Sequence, residues 1–217
     1  MASKITNAQM LEAITEMREG SKKRNFLQTV ELQVGLKDYD PQKDKRFAGS
    51  VRLPNVARPK LKICLIADQK HADEAAAAGL DIDVTSLDNL KKFNKDKKLI
   101  KKWAKKYSLL LATDTLVKKI PVVLGPVLNR IGKFPQPVTQ TEPLAGKIED
   151  VRASVKWQLK KVTNMNVAVA NEGMDDEQVR QNTVMALNFL ASLLKKGWQN
   201  IKVVTIKTTM GKPVKLI

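Results

Sequence analysis

The sequence predicts a mixed α/β protein: an α+β domain assembled from both chain ends, residues 1–59 and 153–217, with a parallel α/β domain, residues 60–152, inserted between them. Three observations lead there. Each flank combines an alternating strand pattern with an amphipathic helix pattern. The middle shows a strand–helix–strand rhythm with apolar runs of its own. Hydrophobic residues make up 43% of 217 positions, enough to fill more than one core.

The first element is a helix. Thr6 and Gln9 have capping-box spacing, Met10, Leu11, Ile14 and Met17 recur at helical intervals, and Gly20 supplies a stop. Residues 26–34 then alternate. Phe26, Val30, Leu32 and Val34 share one parity and Thr29, Glu31 and Gln33 the other, which predicts a half-buried strand. A loop rich in Asp, Lys and Pro41 leads to a second strand at residues 50–53, and Pro54 and Pro59 punctuate the chain.

From Lys60 the character changes. Residues 61–67 read as a buried strand, 73–78 as an alanine-rich helix ending at Gly79, and 82–84 as a short strand. Residues 108–112 supply another apolar strand and 115–120 a helix, followed by the proline- and glycine-marked stretch LGPVLNRIGKFPQP from Leu124. In the last segment Val155, Trp157 and Leu159 face one way and Ser154, Lys156, Gln158 and Lys160 the other, with residues 166–170 as the expected partner strand. Residues 175–196 carry the strongest helix pattern. Asp175, Asp176 and Glu177 stand at its positive end, Lys195 and Lys196 at its negative end, and Gly197 follows. Its apolar stripe is Val179, Ala186, Phe189, Leu190 and Leu193. A strand at residues 201–207 runs into Thr208-Thr209-Met210-Gly211 and a short terminal strand.

Charge narrows the class of partner. Thirty-nine Lys and Arg against 22 Asp and Glu leave a formal net charge of +17. The excess is +4 in residues 1–59, +7 in 60–152 and +6 in 153–217, so no single tail accounts for it. Such a chain attracts polyanions, and phosphate backbones are the commonest of them. The single Cys64, within an apolar run, and the single His71 leave no basis for a disulfide framework, a metal centre or a histidine-dependent triad. Glu12, Glu16 and Glu19 stand where a signal peptide would be apolar, and no apolar run approaches the ~20 residues of a membrane span. The expectation is a soluble protein of a reducing compartment, without cofactor or membrane partner.

The inserted α/β segment invites a nucleotide-binding reading, but the required glycines are missing. After residue 67 comes Asp68-Gln-Lys-His71 in place of a glycine-rich turn. Gly125 and Gly132 are too far apart for a phosphate loop, and Phe134 replaces its hydroxyl. No catalytic constellation appears. The densest charge run, residues 91–106, holds nine lysines and one aspartate. It reads equally as a solvated helix surface, with Leu90, Phe93, Ile100, Trp103 and Tyr107 turned inward and a break near Asn94–Asp96, or as a phosphate-tracking or import surface. The sharper RNA-binding candidates lie on the flanks. Lys23 and Arg24 precede Phe26, with Thr29 and Glu31 on the polar face beyond. Lys156, Gln158 and Lys160 form another polar face, and Thr208, Thr209, Met210 and Gly211 form a small, permissive turn.

In order along the chain, KKRNFLQTVELQVGLKDYDPQKDKRFAGSVRLP, LGPVLNRIGKFPQPV, VKWQLKK and TTMG resemble the ribosomal L-one family, L-ten-a in its eukaryotic form. The resemblance spans essentially the whole chain. It implies a split first domain with an inserted Rossmann-like, three-layer second domain, and a structural constituent of the large ribosomal subunit that is not an enzyme. It further implies that the first domain binds a junction of large-subunit rRNA, forming the mobile stalk near the tRNA exit site and assisting release of deacylated tRNA. Exit-site tRNA would be a transient partner, other large-subunit components its neighbours, and an obligate homo-oligomer is not expected. The location implied is the cytoplasmic ribosome, after nuclear and nucleolar passage during assembly. An extraribosomal or assembly-factor relative of the same fold is the alternative. The family's RNA contacts fall on Phe26, Thr29, Thr209, Met210 and Gly211, with basic contacts carried over to Arg24, Lys156 and Lys160. The chain departs from the bacterial pattern at Asn25, where a lysine is usual, and at Gln28, where an acid is usual. It also has Asn171-Glu172-Gly173-Met174 in place of a glycine-lysine turn.

Overall fold

The computed structural model describes residues 5–22 and 24–217. In chain order they form α1 (Asn7–Glu19), β1 (Thr29–Leu36), β2 (Ala48–Arg52), β3 (Ile63–Ile66), α2 (Gln69–Ala77), β4 (Asp83–Thr85), α3 (Leu87–Lys91), α4 (Lys97–Lys106) and β5 (Leu109–Thr113). Then come α5 (Asp114–Val117), α6 (Ile120–Leu124), α7 (Val127–Ile131), β6 (Gln136–Val138), α8 (Leu144–Ala153), β7 (Ser154–Gln158) and β8 (Asn164–Asn171). The chain ends with α9 (Asp176–Leu193), a 3-10 turn (Gly197–Asn200), β9 (Ile201–Thr208) and β10 (Val214–Lys215). The architecture is mixed α/β, in two compact units: Met1–Pro59 with Val151–Ile217, and Lys60–Asp150. The chain re-enters the first unit at Val151, inside α8, rather than at Ala153.

The first unit is built on an antiparallel sheet in the order β10-β9-β1-β8. Along β1, Val30, Leu32, Val34 and Leu36 are buried while the residues between them are half-exposed, so one face carries the core. Met10, Ala13, Ile14 and Met17 of α1 and Val179, Ala186, Leu187 and Leu190 of α9 pack into that core. The capping box at Thr6 and Gln9 starts α1 as expected. A second one, Asp175 with Gln178, starts α9.

The expected pairing of residues 166–170 with the strand at 154–158 is not what forms. β8 pairs with β1, and β7 pairs with β2. Alternation sets which face a residue takes, but not which strand lies beside it. What ties the small sheet to the first unit's core is α9. The indole N–H of Trp157 donates to the Ala186 carbonyl at 3.1 Å. Gly49 lets the helix approach β2, since a Cβ there would meet the Phe189 ring at 2.9 Å. The helix stops at Leu193, so Lys195 and Lys196 lie beyond it. Lys195 instead pairs with Asp44 at 2.7 Å.

The second unit holds a parallel sheet, β4-β3-β5-β6. Ile63, Cys64, Leu65 and Ile66 are all buried although successive side chains point to opposite faces, so both faces of this sheet are covered. Cys64 is a buried core residue, as its run suggested. The basic stretch is two helices. Asn94 and Lys95 break it with φ of 44° and 60°, and Leu90, Ile100 and Ala104 turn inward. Trp103 meets Phe93 in a tilted contact and Tyr107 edge-on, at centroid distances of 6.0 and 5.6 Å, and all three pack against this core. Lys133 donates to the Ala104 carbonyl at 3.0 Å and to that of Tyr107, closing the end of α4. The helix expected at residues 115–120 is broken into α5 and α6. Gly132 ends α7 in the left-handed region, and so is a helix terminator and not part of a phosphate loop.

Candidate nucleic-acid interface

Three segments of the first unit meet at one end of its larger sheet: residues 21–22 with 24–29, residues 171–174 and residues 208–211. Gln28 joins them. Its side-chain amide donates to Ser21 Oγ at 2.9 Å and to the Lys22 carbonyl at 3.1 Å, and its Oε1 accepts from the Met210 N–H at 3.3 Å. Its backbone carbonyl accepts from Glu172 N–H at 2.9 Å. Ser21 Oγ lies 3.4 Å from both Glu172 Oε1 and Thr208 Oγ1, which completes a connected polar network. Arg18 anchors the second segment from below. Its guanidinium donates to the carbonyls of Glu172, at 3.3 Å, and Met174, and pairs with Asp176 at 2.6 Å.

Gln28 is 1% exposed. This corrects the expected strand pattern, in which Phe26 was an inward residue of the strand. β1 begins at Thr29, Gln28 takes the buried position ahead of it, and Phe26 stands 51% exposed outside the strand. The signal was present in the sequence. Position 28 has the inward parity of Val30, Leu32 and Val34 but carries an amide, and a buried amide must find partners. Ser21, Glu172 and Arg18 gave no comparable signal, because what makes them matter is contact across more than a hundred residues.

The turn at residues 208–211 differs from the expectation in three ways. Thr208 is the last residue of β9 and fully buried, its hydroxyl turned to Ser21, so it is not a surface contact. Thr209 is exposed, but its hydroxyl accepts from the Thr29 N–H at 3.0 Å and donates to the Thr29 carbonyl at 3.2 Å. It thereby extends the β1–β9 ladder by one side chain, and its single proton is committed. One acceptor position remains for an outside donor. Gly211 is required by the protein itself, since a Cβ would lie 2.2 Å from Thr208 Oγ1. Met210 alone among the four is a free side chain at the surface, 63% exposed.

The structure thus brings Thr29 together with Thr208 to Gly211, with Arg24 and Phe26 just ahead of Thr29 in the chain as exposed residues. Glu31 lies farther along β1, opposite Lys207 of β9 and Ala168 of β8. Lys156 and Gln158 lie on β7, in the two-stranded sheet opposite Ser50 and Ala48, and Lys160 follows as an exposed residue. The network at Gln28 does not include them. Lys23 lies outside the described residues. Around the network, Phe26, Leu27 and Met210 expose large apolar side chains, the first two 51% each. A rigid polar framework carrying exposed apolar groups, in a chain of charge +17, suits a partner with both charged and flat apolar surfaces.

Residues 17–212 match the model of the Ribosomal protein L1p/L10e family. The chain belongs to this family. It is 52% identical over 217 residues to large ribosomal subunit protein uL1 of Neurospora crassa, covering 99% of each chain. To uL1 of Caenorhabditis elegans it is 53% identical over 213 residues, covering 97% of this chain and 98% of that one. To uL1 of Drosophila melanogaster it is 49% identical over 218 residues, covering both chains fully. The matched span of the L1p/L10e family includes all three converging segments and the whole second unit. Among the described residues, no helix is long and apolar enough to cross a membrane.

Proposed function

We propose that the chain binds a junction of large-subunit rRNA through the end of the sheet where residues 24–29, 171–174 and 208–211 converge, and so builds the mobile stalk near the tRNA exit site. It is a structural constituent of the large ribosomal subunit and not an enzyme. In this reading residues 1–59 and 153–217 make the rRNA-binding domain, and residues 60–152 make a Rossmann-like domain that the stalk carries. Exit-site tRNA is its transient partner during release of deacylated tRNA. Other large-subunit components are its neighbours, no obligate homo-oligomer is needed, and the protein passes through the nucleus and nucleolus before it works on cytoplasmic ribosomes.

The observation that carries the reading is the exposure of Phe26, Leu27 and Met210 on segments that the Gln28 network holds rigid. Structured RNA offers unstacked base and sugar faces to such groups. Arg24 and Lys22 beside them meet phosphates, and the chain's net charge of +17 draws the RNA in. The test is binding of a stalk-rRNA fragment by Phe26→Ser and Met210→Ser. Phe26→Ser is expected to bind about 5- to 150-fold more weakly, since one base–aromatic stacking contact is worth about 1–3 kcal/mol, and Met210→Ser is expected to bind several-fold more weakly through its lost apolar contact. The thermal midpoint is expected to hold, because both side chains face solvent. Wild-type affinity in both variants overturns the assignment.

A further inference from the structure

The face of the larger sheet opposite the buried Val30, Leu32, Val34 and Leu36 carries Thr29, Glu31, Gln33 and Gly35 of β1, all half-exposed. There the rows are rich in amides and hydroxyls. Gln33 stands between Asn166 and Thr205, and Gly35 between Asn164 and Val203. Gly35 has no positive φ, and a Cβ on it would meet Asn164 Oδ1 at 3.4 Å and Val203 Cβ at 4.0 Å, ordinary contact distances. Neither backbone strain nor crowding therefore requires a glycine. What its missing side chain creates is a hollow, the floor of a groove of about 550 Å³. The groove wall contains no carboxylate, and its single charged residue is Lys202.

We propose that this groove receives an unpaired nucleotide of the same RNA that binds at the Gln28 end of the sheet. The proposal rests on that reading of the function and extends it. Gln33 lies four residues from Thr29 on the same strand face, about 13 Å along the strand, so an RNA strand held at Thr29 and Met210 reaches it without leaving the sheet. Gln33 Oε1 accepts from the Thr205 hydroxyl at 3.5 Å, while the exposed amides of Asn164 and Asn166 each offer a donor and an acceptor side by side, the pattern that pairs with a base edge, adenine above all. Lys202 and Lys207, both on β9, lie along that course, Lys207 directly opposite the carboxylate of Glu31, so the cation left over for phosphates is Lys202 at the groove. The groove wall has no aromatic ring, so the base is held by its edge and not by stacking.

The test uses the full chain, a stalk-rRNA fragment and, as a probe of the base alone, a short oligoadenylate with oligouridylate beside it. In 15N-labelled protein the side-chain amide signals of Gln33, Asn164 and Asn166 are expected to move when the rRNA fragment is added, and to move more with oligoadenylate than with oligouridylate. Gly35→Val fills the hollow with a residue that strands favour. It is expected to bind the rRNA fragment about 10-fold more weakly at an unchanged thermal midpoint. Should the valine lower the midpoint, Asn166→Ala, which leaves the groove open and alters an exposed residue, decides: several-fold weaker binding supports the groove, and wild-type binding overturns it. Stationary amide signals with wild-type affinity in Gly35→Val also overturn it. If Met210→Ser is still impaired in that case, the rRNA-binding reading survives; if Met210→Ser also binds normally, that reading falls as well.

Discussion

Replacing Gly211 by Ala would separate the two reasons a glycine can stand in an RNA-binding turn: fit to the protein and fit to the ligand. A Cβ at this position would lie 2.2 Å from Thr208 Oγ1, more than an ångström inside ordinary contact, and Thr208 is a buried β-branched residue whose stiff χ1 resists moving aside. Overpacking of this kind costs about 1–3 kcal/mol. For a chain of this size each kcal/mol lowers the midpoint by about 2–4 °C, so a drop of about 4–8 °C is expected for the middle of that range. Removing the clashing hydroxyl supplies the control. In Gly211→Ala with Thr208→Ala, the nearest remaining atoms would be the residue-208 Cβ at 3.5 Å and its backbone nitrogen at 3.7 Å, both ordinary contacts. The double variant should then be less destabilised than the sum of the single ones, with a coupling of about 0.5–3 kcal/mol. The assay is a double-mutant cycle read twice, by thermal unfolding and by affinity for the stalk-rRNA fragment. An unchanged midpoint in Gly211→Ala refutes the internal clash. If RNA also approaches this backbone closely, the double variant regains stability but not affinity; regained affinity refutes that close approach.

Three further outcomes follow from the same structure. Neutralising about 5–8 phosphates should make rRNA affinity fall steeply with salt by counterion release, and an affinity equal at low and physiological salt contradicts the interface. A chain joining residues 1–59 to 151–217 through a short linker should fold and keep most of the rRNA affinity, because the Leu53 N–H to Ala153 carbonyl bond at 3.0 Å and the core around Trp157 stay whole. Residues 60–150 binding the stalk fragment as tightly as the full chain would reverse that assignment. Burial pushes the Cys64 thiol up to about 11, so the folded state prefers the neutral form. Its contribution to stability is therefore present below the ordinary thiol pKa and is lost as pH rises toward 11. Thiol-reagent labelling at neutral pH should track unfolding of the second unit, and rapid labelling of the folded protein contradicts the burial.

The limits of the sequence reading show in particular residues. Periodicity located α1, β1, β7 and α9 because one face of each is apolar, and it assigned Val155, Trp157 and Leu159 inward correctly. It misjudged Phe26 because alternation was extended past the point where the strand begins. A period of two has no means of marking where ladder hydrogen bonds start. Thr208, expected at the surface, shares the inward parity of Val204 and Ile206 and is buried with them.

By itself the sequence indicated a polyanionic class of partner and the type and order of the longer amphipathic elements, but not α7, β6 or α8, whose short or weakly periodic segments carry no such pattern. Net charge, absence of paired catalytic residues and binary pattern are properties of composition and spacing, and need no coordinates. Only the tertiary structure decided which strands are neighbours, that β8 lies beside β1 and β2 beside β7. Strand pairing is selected by the shared core and not by either strand's own pattern. Only the tertiary structure, too, made Gln28 the hub of the candidate interface, and gave Thr209 and Gly211 their partners at Thr29 and Thr208. Hydrogen bonds and steric contacts between Thr29 and Thr209, or between Ser21 and Glu172, depend on distances across the fold that no local pattern encodes.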